Sequence, residues 1–348
     1  LSATDAIVCR GLSKTYTLPV ASPLSGGVFR MPFPDWPLWL RAVLWPARFP
    51  LMLTRGVLQA AIAPFLEPFT PGREVKALDN LDLTIRRGEV FGLLGPNGAG
   101  KTTTINLLLG LIWPTRGRCT VMGYAPDDMR AKRRIGFLPE ETYLYRHLNA
   151  EETLRFYGKL FGLDSGVLSR RIEDLLDLVG FDKTARRRPL KTYSKGMARR
   201  IGLAQALIND PDVVILDEPT SGLDPIGSLQ MKDIILRLKK EGKTILMSSH
   251  LLADVEDCCD RAAILYRGKV ARQGTIAELL SVKDTFQLQA RDIGPELQAK
   301  IEALIAAEGG KVESVGYQRT RLESLFRDIV MARREEETRA AAAPGRRS

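Results

Sequence analysis

The octapeptide Gly95-Pro96-Asn97-Gly98-Ala99-Gly100-Lys101-Thr102 constrains this chain more than any other stretch. It follows the mostly apolar run 89–94, which reads as a buried strand, and precedes the apolar run 105–109, which opens a helix. In a strand, loop and helix of this order, glycines let backbone N–H groups turn inward around phosphate oxygens. Lys101 then reaches the terminal phosphates and the Thr102 hydroxyl suits Mg²⁺, while the positive end of the helix faces the same anion. The spacing predicts a phosphate-binding loop in an α/β fold.

Two further apolar runs fit the same architecture. Residues 213–216 end in Asp217 and Glu218, and their unbroken apolar character marks a central strand of a parallel sheet. Asp217 reads as a Mg²⁺ ligand and Glu218 as the group that polarises a water for attack on a γ-phosphate, because phosphoryl transfer needs a placed nucleophile and neutralised charge. Residues 244–247 lead through Ser248 and Ser249 to His250, at a strand end where open parallel sheets bind ligands, so His250 is read as a terminal-phosphate contact. His147, the other histidine, has no such context and reads as a surface residue.

With 348 residues the chain is long enough for two compact units, or one large domain with appendages. Hydrophobic residues at 45% and charged residues at 26% exclude a collagenous, repeat-dominated or wholly disordered chain. The four cysteines, Cys9, Cys119, Cys258 and Cys259, make neither a metal knuckle nor a disulfide framework, so a reduced, cytosolic protein is expected. No run supplies the roughly 18 apolar residues of a membrane span, so the chain is not expected to cross a bilayer by itself. The net charge of +10 is spread over basic clusters at 132–134, 186–188, 199–200 and 346–347, which read as solvated surface rather than a binding stripe.

Tyr193-Ser194-Lys195-Gly196-Met197, about fifteen residues before the Asp217-Glu218 strand, resembles the signature of ABC transporter nucleotide-binding subunits, usually Leu-Ser-Gly-Gly-Gln. The likeness runs from about Ala6 to Leu280 apart from one insertion. Ser194 can cap a helix whose apolar residues Met197, Ile201, Ala204 and Leu207 recur at helical spacing. The family's arrangement places that helix end against the γ-phosphate held by a second copy, so that ATP joins two head-to-tail subunits. Ser221-Gly222-Leu223-Asp224 is similar to the loop along the dimer interface, and Tyr16 matches the aromatic that stacks on adenine. Ile135-Gly136-Phe137-Leu138-Pro139-Glu140 is similar to the loop that usually ends in Gln; Glu140 keeps a metal-facing oxygen but loses the amide donor.

The resemblance implies that Tyr16, Gly95, Pro96, Asn97, Gly98, Ala99, Gly100, Lys101, Thr102, Thr103, Glu140, Ser194, Gly196, Asp217 and Asp224 hold ATP. It implies that Thr102, Asp217 and Glu140 face Mg²⁺ and that Glu218, His250 and Lys101 carry out hydrolysis. The expected fold is a P-loop NTPase core of ABC type: a mainly parallel sheet with flanking helices, an antiparallel β subdomain, a helical subdomain and a small C-terminal α+β extension. Glu140 together with Tyr-Ser-Lys-Gly-Met resembles the ATPase subunits of the ABC-2 exporter group, of the daunorubicin-resistance type, which work with separate membrane permeases. Expected partners are a second ATPase subunit, most simply an identical copy, and the permease, at the cytoplasmic face of the membrane. The cargo is not expressed in these residues.

The expected ABC domain covers 1–280, with a helical subdomain at about 127–191, including 142–154, that would receive the permease. Residues 17–73 form an insertion of about 57 residues, rich in Trp, Phe and Pro, with short helices expected at 36–45 and 51–63. Its aromatics either pack on the β-rich part of the domain or lie against membrane and permease. Residues 281–331 read as the extension: strands at 285–290 and 311–316, a helix at 295–307 and a last helix from Leu322. The tail 332–348 is charged and low in complexity. A soluble ABC ATPase acting on nucleic acid or ribosomes is the alternative; the absence of a second cassette or sustained heptads disfavours it.

Overall fold

The computed structural model describes residues 4–18, 73–281, 294–308 and 312. The chain divides into two compact units, Leu1–Arg87 with Leu93–Arg134 and Ile264–Ala271, and Gly88–Gly92 with Ile135–Ala263 and Arg272–Ser348.

The first unit is built on an antiparallel sheet. Strand β1 (Asp5–Leu18) lies between β2 (Arg73–Arg86) and β4 (Arg116–Val121). In β2 the stretch Leu81-Asp82-Leu83-Thr84-Ile85-Arg86 alternates buried and exposed residue by residue, as a strand with one face in a core and one in water must. Leu81, Leu83 and Ile85 are at most 2% exposed, and burying each stabilises the sheet by about 1.5–3 kcal/mol. Cys9 and Cys119 are register partners across β1 and β4, both buried and both free thiols. The unit also holds helix α1 (Lys101–Leu108) and the short α2 (Met129–Lys132), which Asp128 caps through the Arg130 N–H.

The insertion starts later and ends earlier than its composition suggests. Thr17 pairs with Glu74 and Leu18 with Arg73, so Thr17, Leu18 and Arg73 belong to strands, and residues 19–72 join the ends of a β-hairpin. The short helices expected there lie outside the described residues, as do the expected strand 285–290, the strand 311–316 apart from Val312, the last helix and the tail.

A second sheet has the strand order β5 (Ile135–Leu138), β6 (Val213–Leu216), β7 (Thr244–Ser249), β3 (Val90–Leu94), β8 (Arg261–Tyr266), β9 (Lys269–Thr275). Strands β5, β6 and β7 run parallel, in the register Ile135↔Val213↔Thr244. Every residue of β6 and β7 is buried, which explains why these strands read as continuous apolar runs rather than alternating ones.

Helices α3 (Ala150–Leu160), α4 (Ser165–Leu178), α5 (Lys183–Arg186), α6 (Lys195–Ala206), α7 (Pro225–Lys240) and α8 (Leu252–Cys258) belong to the second unit. So do α9 (Ile276–Leu280) and α10 (Pro295–Ala307), the latter at the bounds its pattern predicts. Asn149 and Glu152 close a capping box at the start of α3, which is why residues 142–149 before it are not helical. The stretch 127–191 read as helical also contains β5, whose apolar Ile135-Gly136-Phe137-Leu138 is long enough for a buried strand and too short for a helix.

Candidate functional site

Most of the residues singled out in the sequence fall into two groups, one in each unit. In the first, β3 delivers the chain to Gly95, and the loop closes as α1 begins at Lys101. Gly100 occupies the N-cap with φ 108°, and a Cβ there would stand 2.9 Å from the Ala77 carbonyl oxygen, so no other residue fits. No side chain caps α1, and its N-terminus is the end of a helix that favours an anion. Lys101 is 6% exposed, and its ammonium donates to the Gly95 carbonyl of its own loop at 2.6 Å. Thr102 is exposed, Thr103 half-buried, and Thr104 buried with its hydroxyl donating to the Gly100 carbonyl at 2.9 Å. Tyr16, half-buried in β1, has the Lys14 ammonium 5.1 Å from its ring centre.

A support for this loop had no sequence signal. The Gly268 N–H donates to the Ala99 carbonyl at 3.0 Å, and its carbonyl accepts from the Asp79 N–H at 2.9 Å. Arg267 and Gly268, at φ 48° and 78°, form the tight turn that makes this approach possible.

In the second unit, Asp217 and Glu218 follow β6 and are 5% and 6% exposed. Because β6 and β7 are parallel with Leu216 opposite Met247, the next residue of β7, Ser248, comes beside them. Its hydroxyl donates to Asp217 Oδ1 at 2.5 Å and accepts the Glu218 N–H at 2.9 Å. His250 Nδ1 lies 2.7 Å from Glu218 Oε2; a carboxylate only accepts, so the ring N–H donates. The His250 side chain is 47% exposed, which leaves the rest of the ring toward solvent. Glu218 itself has φ 49°, a left-handed backbone rare outside glycine.

Arg199 corrects the reading of residues 199–200 as solvated surface. It projects from α6, is 3% exposed, and its guanidinium donates to five backbone oxygens: Pro139, Glu140 at 2.5 Å, Asp217 at 2.6 Å, Glu218 at 2.9 Å and Pro219 at 3.3 Å. Nη1 also donates to the Thr142 hydroxyl at 3.2 Å. Burial pulls its pKa down to about 10, against the opposing pull of the Asp217, Glu140 and Glu218 carboxylates. Arg186 in the 186–188 cluster is likewise buried, paired with Asp177 and donating to the Phe181 carbonyl at 2.9 Å. A basic pair on an otherwise apolar helix face was the available signal for Arg199, and charge counting hides it.

The remaining predicted residues sit at chain turns. Ser194 caps α6, accepting the Met197 N–H at 3.2 Å, and Gly196 is half-buried in its first turn. Asp224 caps α7, accepting the Gly227 N–H at 2.8 Å. Glu140 is exposed after β5, and His147 is exposed beside Tyr145. The structure thus brings Asp217, Glu218 and His250 into one cluster and adds Ser248 and Arg199 to it.

The ABC transporter family model matches residues 78–221. Over 241 residues the chain is 47% identical to an uncharacterized ABC transporter ATP-binding protein of Synechocystis, a match covering 69% of this chain and 68% of that protein. It is 36% identical to Nod factor export ATP-binding protein I of Ralstonia nicotianae, covering 70% of this chain and 75% of the relative. A solved structure of the ATP binding subunit of an ABC transporter is 26% identical with a TM-score of 0.56, covering 79% of this chain and 91% of that one. Sequence, sheet order and loop agree on the ABC-type P-loop NTPase fold, and the chain belongs to the family of ABC transporter ATP-binding proteins.

Proposed function

We propose that this ATP-binding and ATP-hydrolysing subunit uses Glu218 as its general base and powers an exporter of the ABC-2 group. The observation that carries the catalytic part is the 2.7 Å contact between His250 Nδ1 and Glu218 Oε2, which orients the carboxylate at the end of β6. In the reaction a water oxygen bonds to the γ-phosphorus, the bond from that phosphorus to the bridging oxygen breaks, and the proton leaving the water passes to Glu218. ADP departs with the bridging oxygen. Lys101 and the amides opening α1 neutralise phosphate charge, and Tyr16 offers its ring to the adenine.

The donors fit Mg²⁺. Asp217, Glu140 and Thr102 carry hard oxygen donors of the kind Mg²⁺ takes. Thr102 and Asp217 would hold the ion and Glu140 would face it; when bound, it neutralises charge on the β- and γ-phosphates. Ser248 orients the Asp217 carboxylate by donating to it.

ATP-binding subunits of this family pair and act with transmembrane components. Among the described residues no helix is long and apolar enough to cross a membrane. An identical second copy would meet the Ser194 end of α6. Exposed Tyr143 and Tyr145 before α3, Phe156 and Leu160 on it and Phe161 at its C-terminal end would supply an apolar face for a permease segment. The export named for the Ralstonia relative supports the direction of transport, and residues 281–331 are taken as a C-terminal extension.

Phosphate release by the full chain, alone and with E218Q, tests this reading. E218Q should bind ATP, lose turnover by more than about 10²-fold and sediment as an ATP-dependent dimer. Unchanged turnover would remove Glu218 from the mechanism, and a strictly monomeric ATP complex with full turnover would remove the pairing.

A further inference from the structure

Glu218 is gripped on both of its backbone groups. Ser248 Oγ accepts its N–H, and Arg199 Nη2 donates to its carbonyl. Between those grips the residue holds φ 49°, a conformation a side chain of this kind keeps only where its surroundings impose it. The same guanidinium reaches across to the end of β5, binding the Pro139 and Glu140 carbonyls and the Thr142 hydroxyl, and its Nε donates to the Pro219 carbonyl. All five N–H groups of the side chain are therefore used, and five of the six acceptors are main-chain oxygens. Bonds to main chain fix the path of the loops rather than the rotamers on them. The side chain originates three residues after Gly196, within the first turns of the helix that Ser194 caps.

We infer that Arg199 is a positioning residue for hydrolysis, locking α6 to the backbone of the Glu218 turn and of the Glu140 loop so that the three move as one body. The inference deepens the reading of Glu218 as base and rests on it. A planar guanidinium with a fixed fork of donors can bridge two strand ends at once, whereas an ammonium presents three donors around a single atom. Lysine keeps the charge and most of the stem but cannot hold both loops. The Glu218 turn would then be free to relax from its left-handed backbone, and a misplacement of about 1 Å at a catalytic group costs about 10²-fold in rate. The phosphate loop makes none of these bonds, so ATP affinity should depend on them less than turnover does.

Full-length R199K and R199Q, assayed beside wild type and E218Q, test this. The measurements are thermal melting, ATP affinity by calorimetry, and kcat for phosphate release. The expected result is a folded variant with ATP Kd within about twofold of wild type and kcat lowered by 10-fold to about 10²-fold, with R199K no better than R199Q because charge alone does not serve. A kcat within twofold of wild type in either folded variant overturns the inference. So does a parallel fall of ATP affinity and turnover, or loss of folding in both variants, either of which makes Arg199 a prop of the fold alone. E218Q turning over like wild type would instead overturn the reading of the base, whatever the Arg199 variants do.

Discussion

Ser248 and Asp217 share a hydrogen bond of 2.5 Å in which the serine hydroxyl donates, and the same oxygen receives the Glu218 N–H. Both residues are at most 5% exposed, so no bulk water replaces either bond. S248A strands a buried N–H and removes a donor from a buried carboxylate. The expected loss is about 1–3 kcal/mol of stability, with kcat falling more than ATP affinity. Urea denaturation and phosphate-release kinetics check it; an unchanged midpoint and rate would show that the hydroxyl contributes nothing.

Gly268 holds the phosphate loop from behind. At φ 78°, with the Ala77 carbonyl 2.6 Å from where a Cβ would lie, alanine forces the turn away from Ala99. G268A should destabilise the protein by more than about 1 kcal/mol and raise the KM for ATP while leaving the Glu218 cluster in place. A thermal melt with a substrate titration decides this.

Lys232 on α7 and Asp254 on α8 form a buried ion pair of 2.7 Å, each side chain 4% exposed. Thr220, two residues after Glu218, donates its hydroxyl to the same Asp254, and Asp257 adds a second contact to Lys232 at 3.0 Å. D254A removes the more buried carboxylate from the ammonium and should cost about 3–5 kcal/mol. Replacing both partners with K232M and D254L should recover most of that loss, because the penalty comes from an uncompensated buried charge. Chemical denaturation of the single and double variants separates the two contributions.

Burial pushes the Cys258 thiol up to about 12 and raises Cys259 as well. The folded state thus keeps these thiols protonated at pH values where the unfolded chain, near 9.0, has lost the proton. Since the folded pKa lies above the unfolded one, the contribution is fully present below pH 9 and is lost as pH rises toward 12. Stability should fall over that window, and less steeply in C258A; alkylation by iodoacetamide at pH 8 should be slow until the protein is denatured. Fast labelling of the native protein would contradict the burial.

The parts of this protein legible in the sequence are those whose chemistry needs a fixed spacing. The phosphate loop, the β6 run with its two acids and the Ser194 cap each announce a backbone path through local residue order. Helix α10 was readable for the same reason, through a 3.6-residue pattern alone. Strand β5 was recognised as a loop motif but not as a strand, because four apolar residues carry no period. Ser248, Arg199 and Gly268 escaped because their roles exist only across chain separations: 31 residues between Ser248 and Asp217, 18 between Arg199 and Asp217. Arg199 was further obscured by Arg200, since a dibasic pair looks solvated until the helix is turned to show which member faces inward.

The pairing of Leu18 with Arg73 gives residues 19–72 an anchorage of unusual economy. Whatever length of chain is grafted there departs and returns at adjacent points, so the hairpin beneath it keeps its register and the penalty for a longer graft grows only logarithmically. Sequence drift within 19–72 therefore need not reach the strands on either side, because the hairpin holds its register through its own pairing.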